Sequence, residues 1–302
     1  MSHLFIINPF AGDGSYKRIE EVLHKIVKTR EDILIETSQY PGHCSEILKN
    51  HCNKDVQRIY SVGGDGSFHD LVNCLVRQKL SDRISVGVIP SGSGNDYIRN
   101  FTKITELSMI KNYWEYIHEL LEAEVLPVDI GRVNDDYFVN VMSVGFDAQV
   151  IENSYLFKKN IFVPNKSSYF LSAIYTLMRL KNYSCEIRTN TGEKFEKFMM
   201  VSIGKGKYYG GGMKVLPHAD TMDGLLDICV VDPLKRRAVF PLIKTFMEGK
   251  HERLSAVSLL KSQGLQIRSK ERIPYQLDGE LKKGDYWDIE IMPKAISLIR
   301  PL

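Results

Sequence analysis

The feature that most constrains the fold is a regular alternation of short apolar runs and amphipathic segments over residues 1–125. Each β-branched run is typical of a strand, and the helix predicted at 16–28 places Ile19, Leu23 and Ile26 on one side. The predicted strands cover residues 4–8, 33–37, 58–62 and 85–89, and the predicted helices cover 16–28, 44–51, 68–77 and a fourth that begins at Asp96. This alternation predicts a parallel α/β sheet, in which ligands bind beyond the carboxyl ends of the strands.

Beyond Pro127 the sequence changes to many short strand patterns separated by turn signals such as Asn190-Thr191-Gly192. The predicted strands cover residues 128–133, 137–144, 185–189, 195–203, 225–231, 265–268 and 287–291, and one helix is predicted at 168–180. This predicts a mainly antiparallel β domain, a sandwich or an open barrel. We therefore expect an α/β domain at 1–125 and a β-rich domain at 126–292, with a tail of about 293–302 as a candidate to return to the first domain.

Composition excludes several classes of protein. The hydrophobic fraction of 43% and the charged fraction of 25% are ordinary for a globular chain, which excludes global disorder. A formal net charge of +3 is too small to indicate a nucleic-acid partner. No apolar stretch approaches the roughly 20 residues of a membrane-spanning helix. The five cysteines lack any CxxC or Cys/His ligand spacing, which is typical of a reduced, cytoplasmic protein without a zinc site.

The segment Gly63-Gly64-Asp65-Gly66-Ser67 lies between the third predicted strand and its helix. Its glycines allow positive φ and a close approach of ligand to backbone. We expect Ser67 to cap the helix, with Asp70 completing a capping box, and the helix start to bind an anion such as phosphate. A carboxylate among such amides suits a cation or a reacting hydroxyl. The alternative is a tight turn in which Asp65 is merely solvated.

Two further strand ends carry similar loops, Ser91-Gly92-Ser93-Gly94-Asn95-Asp96 after the fourth strand and residues 8–14 after the first. Loops on neighbouring strand ends would face one crevice, where hydroxyls, glycines and the carboxylate of Asp96 converge. Asn95 or Asp96 could instead cap the following helix. The P-loop pattern, the protein-kinase motifs and the dinucleotide spacing GxGxxG are absent, so the common nucleotide-binding families are excluded.

These motifs resemble those of a known family. The segment from Gly63 to Ser67 resembles the GGDGT signature of the diacylglycerol kinase catalytic domain, which bacterial lipid kinases, sphingosine kinases and ATP-NAD kinases share. Three further segments resemble the bacterial lipid-kinase branch: the loop from Pro90 to Asp96, the stretch from Tyr209 to Asp227 with its Gly210-Gly211-Gly212 run, and Leu277-Asp278-Gly279-Glu280. The resemblance implies an NAD-kinase-like α/β domain that binds ATP, followed by a β-sandwich domain for the lipid substrate.

The resemblance also implies roles for individual residues. Nucleotide contacts are implied at Asn8, Pro9, Phe10, Ala11, Gly12, Thr37, Gly63, Gly64, Asp65, Gly66, Ser67, Phe68, His69, Asp70, Gly92, Ser93, Asn95 and Asp96. A structural Mg²⁺ site is implied at Asp220, Asp223 and Leu225, with Asp223 giving its carboxylate and Leu225 its carbonyl oxygen. Glu280 matches the catalytic base. Ser67 stands in place of the usual Thr, and His69-Asp70 in place of Asn-Glu.

The segment from Gln276 to Glu280 also suggests chemistry by itself. Strand alternation would put Gln276, Asp278 and Glu280 on one face, and paired carboxylates suit Mg²⁺ binding or abstraction of a proton from a hydroxyl. The alternative is an exposed turn, because Lys282-Lys283-Gly284-Asp285 follows at once.

The hypothesis drawn from the sequence is a lipid kinase that uses ATP and Mg²⁺, with diacylglycerol as the first candidate acceptor and phosphatidic acid as the product. Asp65 and Asp96 would organise Mg²⁺-ATP, and Glu280 would accept the hydroxyl proton. Aromatic and lysine residues between Tyr155 and Phe170 could meet a membrane surface, to which a cytoplasmic protein would bind peripherally. The alternatives are a kinase for another acceptor (a sphingoid base, monoacylglycerol or NAD) and a catalytically inactive nucleotide-binding regulator. The sequence is also compatible with a homodimer.

Overall fold

The computed structural model describes residues 2–12, 14–52, 55–101, 112–158 and 165–300, with side chains throughout except at 156–158, 165–171, 238 and 240–244. The chain forms two compact units, Met1–Ile130 with Pro293–Leu302, and Gly131–Met292. None of the helices described is both long enough and apolar enough to cross a membrane.

The first unit is built on a parallel sheet. Its strands are β1 (Ser2–Ile7), β2 (Ile33–Thr37), β3 (Val56–Gly63) and β4 (Ser85–Pro90), and its helices are α1 (Tyr16–Val27), α2 (Cys44–His51), α3 (Asp65–Arg77) and α4 (Tyr113–Glu122). The strands lie in the order β4-β3-β1-β2, all parallel. Ile7 pairs with both Thr37 and Val62, and Gly63 pairs with Pro90, so the four carboxyl ends meet at one edge. The predicted parallel α/β domain is confirmed.

The apolar stripe predicted on the first helix packs into the core of this unit. Ile19, Leu23 and Ile26 are fully buried against strand residues that include Phe5 and Tyr60. The predicted fourth helix differs, because within the described residues Asp96 is followed only by a short 3₁₀ turn, Ile98–Asn100, and residues 102–111 lie outside the description.

The second unit is mainly antiparallel. Its strands are β6 (Asp136–Phe138), β7 (Val141–Gly145), β8 (Tyr183–Thr189), β9 (Lys194–Phe198), β10 (Met200–Gly204), β11 (Tyr208–Tyr209), β12 (Met213–Lys214), β13 (Leu226–Val231), β14 (Val257–Ser262) and β15 (Gly264–Leu277). Two long strands, β5 (Val125–Val133) and β16 (Glu280–Ile299), have residues in both units. Strands β14-β13-β10-β7-β15 lie side by side, β15 also pairs with β8 and β16, and all of these pairings are antiparallel. The predicted antiparallel β domain is confirmed.

Three helices accompany these strands: α5 (Phe146–Lys158), α6 (Asn165–Met178) and α7 (Arg236–Glu248). Helix α6 corresponds to the helix predicted at 168–180. The sequence patterns missed α5, which has no apolar stripe, and α7, whose span contains Pro241, a residue that normally breaks helices. Two predicted strands, 137–144 and 195–203, are each divided in two, with breaks at Val139-Asn140 and at Met199.

Candidate functional site

The three predicted loops follow β1, β3 and β4, which are adjacent strands. We call them the β1 loop (residues 8–12 and 14–15), the β3 loop (63–67, which includes the start of α3) and the β4 loop (91–97). Asn8 Nδ2 donates to Ser67 Oγ at 2.8 Å, the Ser91 N–H donates to the Gly63 carbonyl at 2.9 Å, and Ser15 Oγ donates to the Ser91 carbonyl at 3.3 Å. The three loops are therefore tied to one another at the carboxyl edge of the sheet.

The glycines of these loops permit backbone-to-backbone contact. A Cβ atom on Gly92 would lie 2.4 Å from Gly64 Cα, and one on Gly12 would lie 2.0 Å from the Ser91 carbonyl oxygen. Gly64 has an extended backbone, with φ of −101°. The prediction that the β3-loop glycines supply positive φ is therefore wrong, because none of them lies in the left-handed region. Gly64 is needed because the β4 loop touches it, and Gly63 because a Cβ atom there would lie 2.4 Å from Ser67 Oγ.

Helix α3 begins three residues earlier than the sequence patterns predict. Gly64 is its N-cap, and no side chain accepts a hydrogen bond there. Ser67 lies inside the first turn, so the predicted cap at Ser67 and the capping box with Asp70 are wrong. The first N–H groups of a helix have no intrahelical partner, and the helix dipole favours an anion beside them. This helix start, next to two other loops, has the chemistry of a phosphate site.

Asp65 has a structural role that the sequence did not reveal. Its two carboxylate oxygens accept hydrogen bonds from the backbone N–H groups of Asp96, at 3.0 Å, and Tyr97, at 2.9 Å. Asp96 is buried, and its carboxylate lies 3.4 Å from Arg99 Nε. Both carboxylates are engaged within the protein, where they shape the β4 loop, so these two groups do not form a ready cation site.

Two predicted nucleotide contacts belong to the core. Phe68 is 1% exposed and stacks on Tyr97 with ring centroids 4.8 Å apart. His69 is 7% exposed, and its Nε2 lies 3.3 Å from Asn73 Nδ2, one helical turn along. Because both side chains are buried, nucleotide contacts at Phe68 and His69 stay predictions, and neither side chain is included in the site proposed below.

The other predicted nucleotide contacts lie on or beside the loops. Phe10, Gly12 and Ser93 are exposed on their loops, and Asp70 is exposed on α3. Pro9 and Ala11 are half-buried in the β1 loop, Gly66 is half-buried in the first turn of α3, and Thr37 ends β2 beside Ile7. Asn95 does not cap a helix: its side chain accepts from the Gly92 N–H at 3.1 Å and donates to the Gly92 carbonyl at 2.8 Å, which closes the β4 loop on itself.

In the second unit, Asp278 and Gly279 form a two-residue hairpin turn between β15 and β16. Leu277 pairs with Glu280, and both turn residues have positive φ, 49° and 96°. An Asp-Gly pair is the preferred sequence for such a type I′ turn. The predicted continuous strand, with Gln276, Asp278 and Glu280 on one face, is therefore wrong.

The hairpin separates the roles of its two carboxylates. Asp278 accepts hydrogen bonds from the backbone N–H groups of Val139 (2.8 Å), Asn140 (2.9 Å) and Val141 (3.0 Å). It thereby anchors the hairpin to the break between β6 and β7, so we treat it as a positioning residue and not as a proton acceptor. Glu280 is exposed at the first position of β16. Of the pair, Glu280 is the carboxylate accessible to a substrate.

The predicted Mg²⁺ ligands are held by lysine ammonium groups. Lys205 Nζ donates to Asp223 Oδ1 at 2.6 Å and to the Leu225 carbonyl oxygen, and Lys261 Nζ donates to Asp223 Oδ2 at 2.6 Å. Asp220 accepts from the Met222 N–H at 2.9 Å within its own turn. Across the part of the chain that the structure describes, no three His, Cys, Asp or Glu side chains are grouped so as to hold a metal ion. These residues do not fit a resident Mg²⁺.

An apolar cavity opens in the second unit beside a buried carboxyl that the sequence analysis did not single out. Asp147, in the first turn of α5, is 5% exposed, and this burial raises its pKa. The available signal was a carboxylate two residues after the apolar run of β7. The cavity is lined by Phe146, Asp147, Val150, Ala173, Met199, Met200, Tyr209, Met213, Val239 and Phe246.

Comparison with known proteins assigns both units. Residues 2–133 match the diacylglycerol kinase catalytic domain, and residues 140–300 match the YegS C-terminal NAD kinase beta sandwich-like domain. The second match alone covers more than half of the chain. The protein therefore belongs to the diacylglycerol kinase-like family of lipid kinases.

Individual relatives agree over nearly the full length. The chain is 28% identical over 300 residues to the Bacillus subtilis protein named "Putative lipid kinase YtlR", with 93% of this chain and 94% of the relative covered. It is 25% identical over 303 residues to a Mycobacterium tuberculosis protein named diacylglycerol kinase, with 98% and 94% covered. A crystal structure of a "putative diacylglycerol kinase" from Bacillus anthracis has a TM-score of 0.77 at 23% identity, with 99% and 97% covered, and shares the fold.

Proposed function

We propose that this protein transfers the γ-phosphoryl group of ATP to the hydroxyl group of diacylglycerol and so forms phosphatidic acid. The observation that carries the proposal is the uncapped start of α3, which lies among three interlocked loops in a member of the lipid-kinase family. Phosphoryl transfer depends mainly on positioning and on electrostatic stabilisation, and this arrangement supplies both.

The phosphate groups of ATP would bind the N–H groups in the first turn of α3, from Asp65 to Ser67, and those of the β4 loop from Ser93 to Asn95. The β1 loop and Thr37 would contact the rest of the nucleotide. Asp65 supports this site indirectly, because its carboxylate fixes the β4 loop through Asp96 and Tyr97. Mg²⁺ would neutralise phosphate charge as the companion of ATP, and we assign no resident Mg²⁺ site.

Glu280 is the proposed proton acceptor. As the acceptor oxygen bonds to the γ-phosphorus and the bond to the leaving ADP oxygen breaks, the hydroxyl proton would pass to the Glu280 carboxylate. Two observations support this assignment: Glu280 is exposed, and the adjacent turn is held rigidly through Asp278.

The apolar cavity beside Asp147 supports a lipid acceptor. Its lining is almost entirely apolar, which suits an acyl chain, and the buried carboxyl offers one polar contact for a headgroup hydroxyl or ester. We propose that the protein meets its substrate at a membrane surface as a peripheral protein. The finer choice between diacylglycerol and another lipid alcohol rests on this cavity and on the family.

The test is transfer of radiolabelled phosphate from ATP, with Mg²⁺, to diacylglycerol, monoacylglycerol and a sphingoid base in mixed micelles, with NAD as a soluble acceptor. The proposal expects labelled phosphatidic acid as the main product. Label on NAD alone would overturn the lipid assignment, and bound ATP with no labelled product on any acceptor would favour a catalytically inactive regulator.

A further inference from the structure

A completely buried lysine lies next to the acidic turn of the second unit. Lys205 directly follows β10, and its side chain has 0% exposure. Its backbone N–H donates to the Asn140 carbonyl oxygen at 2.9 Å, and the Gly206 N–H donates to the same oxygen at 3.1 Å. The backbone of Lys205 is therefore fixed, and its side chain extends into the protein interior.

The Lys205 ammonium group contacts two atoms that the family resemblance assigns to a metal. Nζ lies 2.6 Å from Asp223 Oδ1 and also donates to the carbonyl oxygen of Leu225, across 18 and 20 residues of sequence. A buried ammonium group persists only when it is paired and hydrogen-bonded, and it has three donors to satisfy. Lys205 thus joins the two ends of the turn from Asp223 to Leu225 from inside.

The charge of Asp223 is compensated by lysine side chains. Lys261 Nζ contacts Asp223 Oδ2 at 2.6 Å and Asp227 Oδ2 at 3.2 Å, so two carboxylates face two ammonium groups. Partial burial opposes ionisation of Asp223, but the hydrogen bonds from Lys205 and Lys261 lower its pKa. A divalent cation bound to Asp223 would meet the two ammonium groups of Lys205 and Lys261, each of which already contacts one oxygen of that carboxylate at 2.6 Å.

We propose that the Lys205 ammonium group is a built-in cation that replaces the structural Mg²⁺, so that this turn folds and holds its shape without any divalent metal. Metal and lysine exclude each other, because both would need Asp223 Oδ1 and the Leu225 carbonyl oxygen. This inference concerns the second unit alone and does not depend on the proposed activity.

The experiment measures thermal unfolding of the full chain, without nucleotide or lipid, in EDTA and in Mg²⁺. The wild-type Tm is expected to be the same in both. Lys205→Asn should unfold at a lower Tm in EDTA, and Mg²⁺ should raise that Tm by at least about 2 °C, because the ligand atoms are then free for the ion. Lys205→Met is the matched control: it also loses the charge but keeps the volume, so Mg²⁺ should not rescue it.

A second experiment measures Mn²⁺ binding directly, through the electron paramagnetic resonance signal of the free ion. It tests the proposal even if the Lys205 variants fold poorly. Wild type and Asp223→Asn should bind Mn²⁺ equally, since Asp223 is not a metal ligand in this chain. The proposal would be overturned if wild type had a tight Mn²⁺ site that Asp223→Asn lacked. It would also be overturned if Mg²⁺ raised the Tm of wild type but not that of Asp223→Asn.

Discussion

The carboxylate of Asp65 accepts the backbone N–H of Tyr97 at 2.9 Å, which joins the start of α3 to the loop after β4. Its other oxygen accepts the N–H of Asp96. One side chain therefore fixes the relative position of two of the loops that we assign to the phosphates of ATP. This relationship makes the acidic residue of the β3 loop a positioning residue.

Replacing Asp65 by Asn should lower both stability and nucleotide affinity. Asn retains one acceptor oxygen, but its amide group would turn an N–H donor toward one of the two backbone N–H groups. The hydrogen bond lost there is one to a charged acceptor, which is worth about 1.5–3 kcal/mol. We expect a loss of about 1–3 kcal/mol in the free energy of unfolding by urea, with a raised KM for ATP. Asp82→Asn, at an exposed loop position, is the control and should change neither. An Asp65→Asn protein with wild-type stability would contradict the assigned role.

Replacing Gly92 by Ala should destabilise the first unit. The new Cβ would lie 2.4 Å from Gly64 Cα, and because the contact is with backbone it cannot be relieved by rotating a side chain. Overpacking of this kind costs about 1–3 kcal/mol, measurable as a lower urea midpoint. Ser93→Ala changes the exposed neighbour in the same loop and should leave the midpoint unchanged. Equal midpoints for both variants would show that the loops do not touch as described.

Replacing Asp278 by Ala should release the β15–β16 hairpin. Three N–H groups, those of Val139, Asn140 and Val141, would lose their acceptor, and Ala is disfavoured at a φ of 49°. We expect a loss of roughly 2–4 kcal/mol in unfolding free energy, together with lower kcat. Asp278→Asn should retain more of both, since Asn tolerates left-handed backbone and keeps one acceptor. If Asp278→Ala lost activity at full stability, Asp278 would be acting in the chemistry and not as an anchor.

Acid should destabilise the first unit through His3. Burial lowers the pKa of His3 from 6.5 to about 4, an effect that the nearby Asp32 only partly opposes. Between pH 6.5 and about 4, His3 is therefore protonated in the unfolded chain but neutral in the folded chain. The free energy of unfolding falls as the pH is lowered through this range, because protons bind preferentially to the unfolded state. Urea unfolding of wild type and His3→Gln across this window should show the steeper pH dependence in wild type. Parallel curves for the two proteins would exclude His3 as a cause.

The parts of the fold that depend on local pattern could be predicted from the sequence. Strand–helix alternation determines a parallel sheet, and the stripe of Ile19, Leu23 and Ile26 determines which face of α1 is buried. Helix α5 could not be found in this way, because its apolar residues do not form one face.

The parts of the site that depend on long-range contacts could not be predicted. Asp65 contacts backbone 31 and 32 residues away, and Lys205 reaches Asp223 across 18 residues, so neither partner is visible in a local pattern. The turn at Asp278-Gly279 is different. Its Asp-Gly pair is a local turn signal, and it ends the strand alternation that Gln276 and Glu280 otherwise suggest.

The most direct test of the proposed mechanism is the turnover of Glu280→Gln with ATP and diacylglycerol, compared with that of Glu196→Gln. Glu196 is an exposed glutamate of the same unit, on β9, and serves as the matched control. Loss of a general base typically lowers the rate by about 10²–10⁴-fold. The account predicts a loss of that size in kcat for Glu280→Gln, with unchanged ATP binding and thermal stability, and wild-type turnover for Glu196→Gln. Near-normal formation of phosphatidic acid by Glu280→Gln would contradict it.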